Sequence, residues 1–137
     1  MTTSVTPHDA LIYVMVTMSA VDSTMTDSEL KEIGTIVKKL PIFNGYDSEN
    51  LIATARAASA ILADEDGLDT LLGIVAEALP HKLYDTAYAL AVEVAAVDMS
   101  VAQEELRFLQ ILRDRLNLDK LTVASLERSA TARYRTQ

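Results

Sequence analysis

The chain has 137 residues, 50% hydrophobic and 23% charged, with no cysteine; this is the composition of one globular domain and excludes disulfides and thiolate metal sites. A formal net charge of -8 and a pI near 4.6 describe a surface that repels nucleic-acid phosphates and anionic lipid. The opening MTTSVTPHDA lacks the basic-then-apolar pattern of a secretory leader, and the longest apolar run, from Ala10 to Val21, is too short for a membrane span, so a cytoplasmic protein is expected.

Thr6-Pro7-His8-Asp9 opens the first helix, with Thr6 as cap, Pro7 at the first helical position and Asp9 at the third. From Leu11 to Val21 this helix is apolar nearly all round, which predicts a central element over 6–21 that stops near Asp22. Thr26-Asp27-Ser28-Glu29 reads as a capping box, with Met25 and Leu30 placed for a hydrophobic staple. The helix that follows carries Leu30, Ile33, Val37 and Leu40 on one stripe and ends at Pro41, before an Asn44-Gly45 turn. Asp47 or Ser48 caps a third helix with Leu51, Ala55, Ala58 and Leu62 inward. Asp64-Glu65-Asp66-Gly67 is a break, and a shorter helix over 68–79 leads to Pro80.

The segment 80–97 matches the first helix in character, apolar from Leu83 to Val97 with few charges, and is read as the second central helix. Ser100 is placed to cap the next helix, which presents Leu106, Leu109, Leu112 and Leu116. Asn117-Leu118-Asp119 stops it and starts the last, which holds Leu121, Val123, Leu126 and Ala130 and ends among Arg128, Arg133 and Arg135. No run alternates with period two. The chain therefore reads as one all-α domain of about seven helices, with two similar three-helix halves joined by a short helix.

The halves are inferred from a repeat. Residues 20–33, AVDSTMTDSELKEI, recur as residues 96–109, AVDMSVAQEELRFL, so that Asp22 meets Asp98, Glu29 meets Glu105 and Leu30 meets Leu106. The repeat spans about 7–63 and 81–133. An Asp at a helix C-terminus opposes the helix dipole at a cost of up to about 1 kcal/mol. Two readings offset that cost. In one, Asp22 and Asp98 accept hydrogen bonds as Asx-turns while Glu29 and Glu105 only cap helices. In the other, Asp22, Glu29, Asp98 and Glu105 converge as oxygen ligands for a divalent metal ion, whose identity the sequence leaves open. The EF-hand pattern is absent.

Other residues are weaker candidates. Glu93, in an apolar helix, is either a buried carboxylate with a raised pKa or a residue on the one solvent-facing stripe. His8 and His81 at helix starts read as surface residues, Tyr13, Tyr84 and Tyr88 as core or core edge, and Asp64–Asp66 as a solvated turn. No Gly-rich phosphate loop, catalytic triad order or basic stripe is present, so no enzyme is expected.

At the repeated motif the sequence resembles the tellurite-resistance TerB and TerB-like family, whose acidic motif Asp-Gly-x-Ile-x-x-x-Glu occurs once in each helical half. Asp22, Met25 and Glu29 match the first occurrence and Asp98, Val101 and Glu105 the second, while Ser23 and Met99 replace the glycines. The resemblance covers about residues 7–130. It implies a cytoplasmic bacterial stress-response protein associated with tellurite resistance, with metal binding and no established catalysis. An adaptor role is equally compatible: a helical module that docks a protein partner, its acidic loops only capping helices.

Overall fold

The structure, a computed structural model, describes residues 5–20, 25–98 and 103–137, the side chain of Asp98 excepted. Regular structure among these residues is entirely helical: α1 (Pro7–Ala20), α2 (Asp27–Lys39), α3 (Leu51–Leu62), α4 (Gly67–Ala78), α5 (Tyr84–Asp98), α6 (Gln103–Arg115) and α7 (Lys120–Arg133). Single 3₁₀ turns stand at Pro41–Phe43, Ser48–Asn50 and His81–Leu83. The all-α class and the number of helices are as the sequence predicts.

α1 starts as its sequence dictates, with the Asp9 amide donating to Thr6 Oγ1 at 3.1 Å and Pro7 as the first helical residue. Every residue from Ala10 to Ser19 is buried. A helix with no polar face leaves a large apolar surface in water unless it is covered on all sides. Here α2, α3, α4 and α5 all pack against it. Ala55 and Ala58, buried in α3, present little bulk at that contact. Thr17 satisfies its hydroxyl within the helix, donating to the Tyr13 carbonyl at 2.7 Å.

α5 buries Ala87, Tyr88, Leu90, Ala91, Val92 and Ala95 and packs on α1, α6 and α7. The two helices read as central thus lie directly against each other. α5 begins later than the sequence suggests, at Tyr84, because Pro80 is extended (φ -66, ψ 150) and a 3₁₀ turn intervenes. α4 is no mere linker. It has 12 residues, as many as α3, buries Leu71, Leu72 and Val75, and packs on α1, α3 and α6. The corner before it needs glycine, since a Cβ on Gly67 would overlap the Ile61 carbonyl oxygen and the Leu62 backbone.

α6 ends in a Schellman motif. The Leu118 amide reaches the Arg113 carbonyl, the Asn117 amide reaches Asp114, both at 3.1 Å, and Asn117 adopts the left-handed conformation at φ 53. Asp119 then caps α7, accepting from the Thr122 amide at 2.8 Å. α7 is tied to α5 by polar contacts at the edge of the core. Tyr88, fully buried, donates to Glu127 Oε2 at 2.5 Å. Glu93 receives Arg133 at 2.8 Å and the Tyr134 hydroxyl.

Glu93 departs from both sequence expectations. It is half-buried, neither sealed in the core nor solvated, and its pKa is lowered, not raised. Burial alone pushes it up, but hydrogen bonds from Arg133 and Tyr134 together with the Arg133 charge outweigh burial. The sequence could not show this, because both partners arrive from the far end of the chain.

Two outcomes are expected. Leu11→Ala should cost about 2–5 kcal/mol in urea unfolding, as for a sealed leucine. Leu121→Ala, at a residue 77% exposed, should fall within about 0.5 kcal/mol of wild type. Similar losses at both positions would contradict the enclosure of α1. The second outcome follows from Glu93. Its folded pKa lies below the ordinary 4.5, so its contribution is present above that value and is lost as pH falls through the folded pKa. The stability gap between wild type and Glu93→Gln should therefore be open at neutral pH and close in strong acid. A gap independent of pH through that window would show that the carboxylate charge contributes nothing.

Candidate functional site

The two acidic segments can be followed on the helices that flank them. Asp22 lies outside the described residues. Asp98 closes α5, and its side chain also lies outside them, as do Ser100 and Val101. Glu29 and Glu105 are described.

Glu29 stands in the first turn of α2, where the capping box forms as the sequence predicts. Its amide donates to Thr26 Oγ1 at 3.1 Å, and its Oε1 accepts from the Thr26 amide at 2.8 Å. Met25 and Leu30 pack against the core on either side, as a staple requires. The capping reading of Glu29 is therefore correct as far as Oε1 is concerned. Glu105 occupies the first turn of α6, where helix-end amides favour a carboxylate. It is only 6% exposed.

The two glutamates meet at one cavity of about 220 Å³. α1 contributes Ser19, α2 contributes Ser28, Glu29 and Glu32, α5 contributes Val94 and Val97, and α6 contributes Glu105. α1 and α5 pack directly, which brings their C-terminal ends and the starts of α2 and α6 to one place. Among the described residues, no cationic side chain lines this cavity. Ser19 is 3% exposed and its Oγ has no hydrogen-bond partner among the described residues, a costly state for a buried hydroxyl. Sequence reasoning passed over both Ser19 and Glu32. Ser19 reads as a small residue in an apolar helix and Glu32 as a solvated charge; only the helix packing places them beside the two motifs.

The polar side chains that the described residues present to the cavity are carboxylates and hydroxyls, a donor set suited to hard cations. Among the described residues, however, no three His, Cys, Asp or Glu side chains are grouped closely enough to hold a metal ion. Glu29, Glu32 and Glu105 line the wall without forming such a group, so a complete ligand set would have to draw on Asp22 and Asp98.

The remaining candidates are structural. His81 is exposed and stacks on Tyr84 at 4.7 Å between ring centroids. His8 is half-buried, contrary to the surface reading, with Nε2 at 2.8 Å from the Ile42 carbonyl and its ring beside Phe43 and Tyr46. Asp64–Asp66 is an exposed turn. A larger, mostly apolar groove of about 540 Å³ runs between α5, α6 and α7, bordered by Val92, Leu106, Leu109 and Ala130. Its carboxylate, Glu127, is already engaged by Tyr88, with Arg113 at 4.0 Å. No described helix is long and apolar enough to cross a membrane.

Comparison with family models, with curated proteins and with solved structures finds no match to this chain. The TerB resemblance therefore rests on the repeated motif itself.

Proposed function

We propose that this chain is a non-catalytic helical protein that binds a divalent metal ion between its two acidic segments, with Asp22, Glu29, Asp98 and Glu105 as ligands. The observation that carries this reading is the cavity where Glu29 and Glu105 meet beside the unpartnered Ser19 hydroxyl. Matching positions of two sequence-related segments are not expected at one cavity by chance placement. The reading includes a duplicated architecture, residues 7–63 and 81–133, that brings the paired acids together. Packing of α1 on α2 and α3, and of α5 on α6 and α7, is compatible with it. With the TerB resemblance, it makes the chain a cytoplasmic stress-response protein associated with tellurite resistance.

A second reading has its own support: a protein-interaction module whose acidic loops only cap helices. The capping box accounts for Glu29 Oε1, and Leu106 is 56% exposed at the apolar groove between α5 and α7.

Glu29→Gln together with Glu105→Gln separates the two. Glutamine keeps an acceptor for the Thr26 amide at position 29 and removes the charge at both positions. Under the metal reading, one or more of calcium, magnesium, manganese and zinc raises the wild-type Tm, because a ligand at 100 times its Kd adds about 2.7 kcal/mol. The double variant should lose that increment. A wild-type Tm indifferent to all four ions would defeat the metal reading and favour the interaction module. A rise that survives in the variant would put the cation elsewhere on the acidic surface.

A further inference from the structure

The net charge of -8 hides an uneven distribution. Seven of the twelve Lys and Arg residues lie after Leu106, against three of the twenty Asp and Glu residues. Those three are Asp114, Asp119 and Glu127; Asp119 caps α7 and Glu127 holds Tyr88. The C-terminal part is therefore a cationic region on an otherwise anionic protein. It borders the apolar groove of about 540 Å³ between α6 and α7.

α6 and α7 each pack on α5, which supplies the floor of the groove through Val92, Ala95 and Ala96. Leu106 stands at the α6 edge with 56% of its surface in water. Arg135 lines the α7 edge, and Arg128 stands one turn before Thr131 on the same edge. Both arginines are exposed, and neither joins an ion pair among the described residues, whereas Arg113, Arg115 and Arg133 do. Glu127 is the one carboxylate on the groove among the described residues, and Tyr88 and Arg113 already engage it. An apolar floor with an exposed leucine on one edge and uncompensated positive charge on the other is what the groove offers a partner.

We propose that this groove docks an acidic amphipathic helix of another protein, whose apolar face lies over Ala95 and Ala96 against Leu106 and whose carboxylates pair with Arg128 and Arg135. Helix-in-groove recognition anchors through apolar residues at i, i+3, i+4 and i+7, and a floor of alanines between two helices lets the incoming backbone come close. Unpaired arginines on the edge are complementary to carboxylates. A second copy of this chain fits poorly, because a two-fold contact sets the same cationic patch against itself. A nucleic acid would be repelled by the acidic remainder of the chain and has no use for the exposed leucine. The proposal takes from the interaction reading only that the groove docks a protein, and names the partner. The groove shares no lining residue with the acidic cavity, so cation binding neither supports nor defeats it.

The test is fluorescence anisotropy of the full chain with three labelled peptides. One is a helix with leucines at i, i+3, i+4 and i+7 flanked by glutamates. The second carries lysines in place of the glutamates, and the third has the glutamate composition with its leucines scattered off one face. The glutamate helix should bind saturably, about tenfold or more tightly than either control, and weaken with added salt. Leu106→Ser removes an exposed anchor and should weaken binding about tenfold, while Leu121→Ser, at an exposed leucine that does not line the groove, should leave it unchanged. Arg128→Glu with Arg135→Glu should reverse the preference, so that the lysine helix binds more tightly, a gain that misfolding would not produce. Absence of saturable binding, equal affinity for the scattered peptide, or affinity unchanged by Leu106→Ser would overturn the proposal. Tighter binding of the lysine helix to the wild type would keep a docking role for the groove and overturn the acidic partner. A dimer in sedimentation that is lost in Leu106→Ser would assign the groove to a second copy and overturn it as well.

Discussion

The fold depends on one constraint: α1 has no face that water can wet. Ten successive residues, Ala10–Ser19, are buried, and the helix is stable only where other helices surround it. α2, α3, α4 and α5 do so, and α5 in turn carries α6 and α7. Once α1 is enclosed, the positions of its ends are set. Its C-terminal end meets the starts of α2 and α6 at the cavity that holds Glu29 and Glu105, and its N-terminal end meets the turn into α3 at a cleft that holds Asp9 and Tyr13. Both cavities are consequences of enclosing a helix whose middle is buried on every side.

Burial also explains why a hydroxyl can be left unpaired. Thr17 and Ser19 both sit in the sealed part of α1, yet only Thr17 bonds back to its own helix. Ser19 faces a cavity walled by carboxylates and valines and has no partner among the described residues, a state that costs a buried hydroxyl about 1–3 kcal/mol. A cation that Ser19 and the carboxylates share would remove that cost. Removing the glutamate charges alone would not do so, which makes Ser19 informative about what the cavity is for.

Local chemistry was legible in the sequence wherever the signal and its partner are neighbours in the chain. The Thr26–Glu29 capping box, Pro7 at the start of α1, the Asp119 cap and the two all-apolar helices could be read because each rests on spacing within a few turns. Readings failed where the partner is distant. Glu93 read as either a buried carboxylate with a raised pKa or a solvent-facing one, and it is bound by Arg133 and Tyr134. His8 looked superficial, and it bonds the Ile42 carbonyl. α4 read as a link between two halves over 68–79, close to its observed bounds; its packing on α1, α3 and α6 could not be read from its own residues. The candidate site was half legible: Glu29 and Glu105 were singled out by the repeat, whereas Ser19 and Glu32 join them only through packing.

The central claim is that the two glutamate-bearing helix starts and the end of α1 form one cation site. Manganese, added in trace amounts during an amide NMR experiment, broadens signals steeply with distance and so reports where the ion resides. The account predicts selective loss of the Ser19, Ser28, Glu29 and Glu105 amide signals before any others, reversed by excess magnesium or calcium. Broadening spread evenly over the acidic surface, or centred on the exposed Asp64–Asp66 turn, would contradict it.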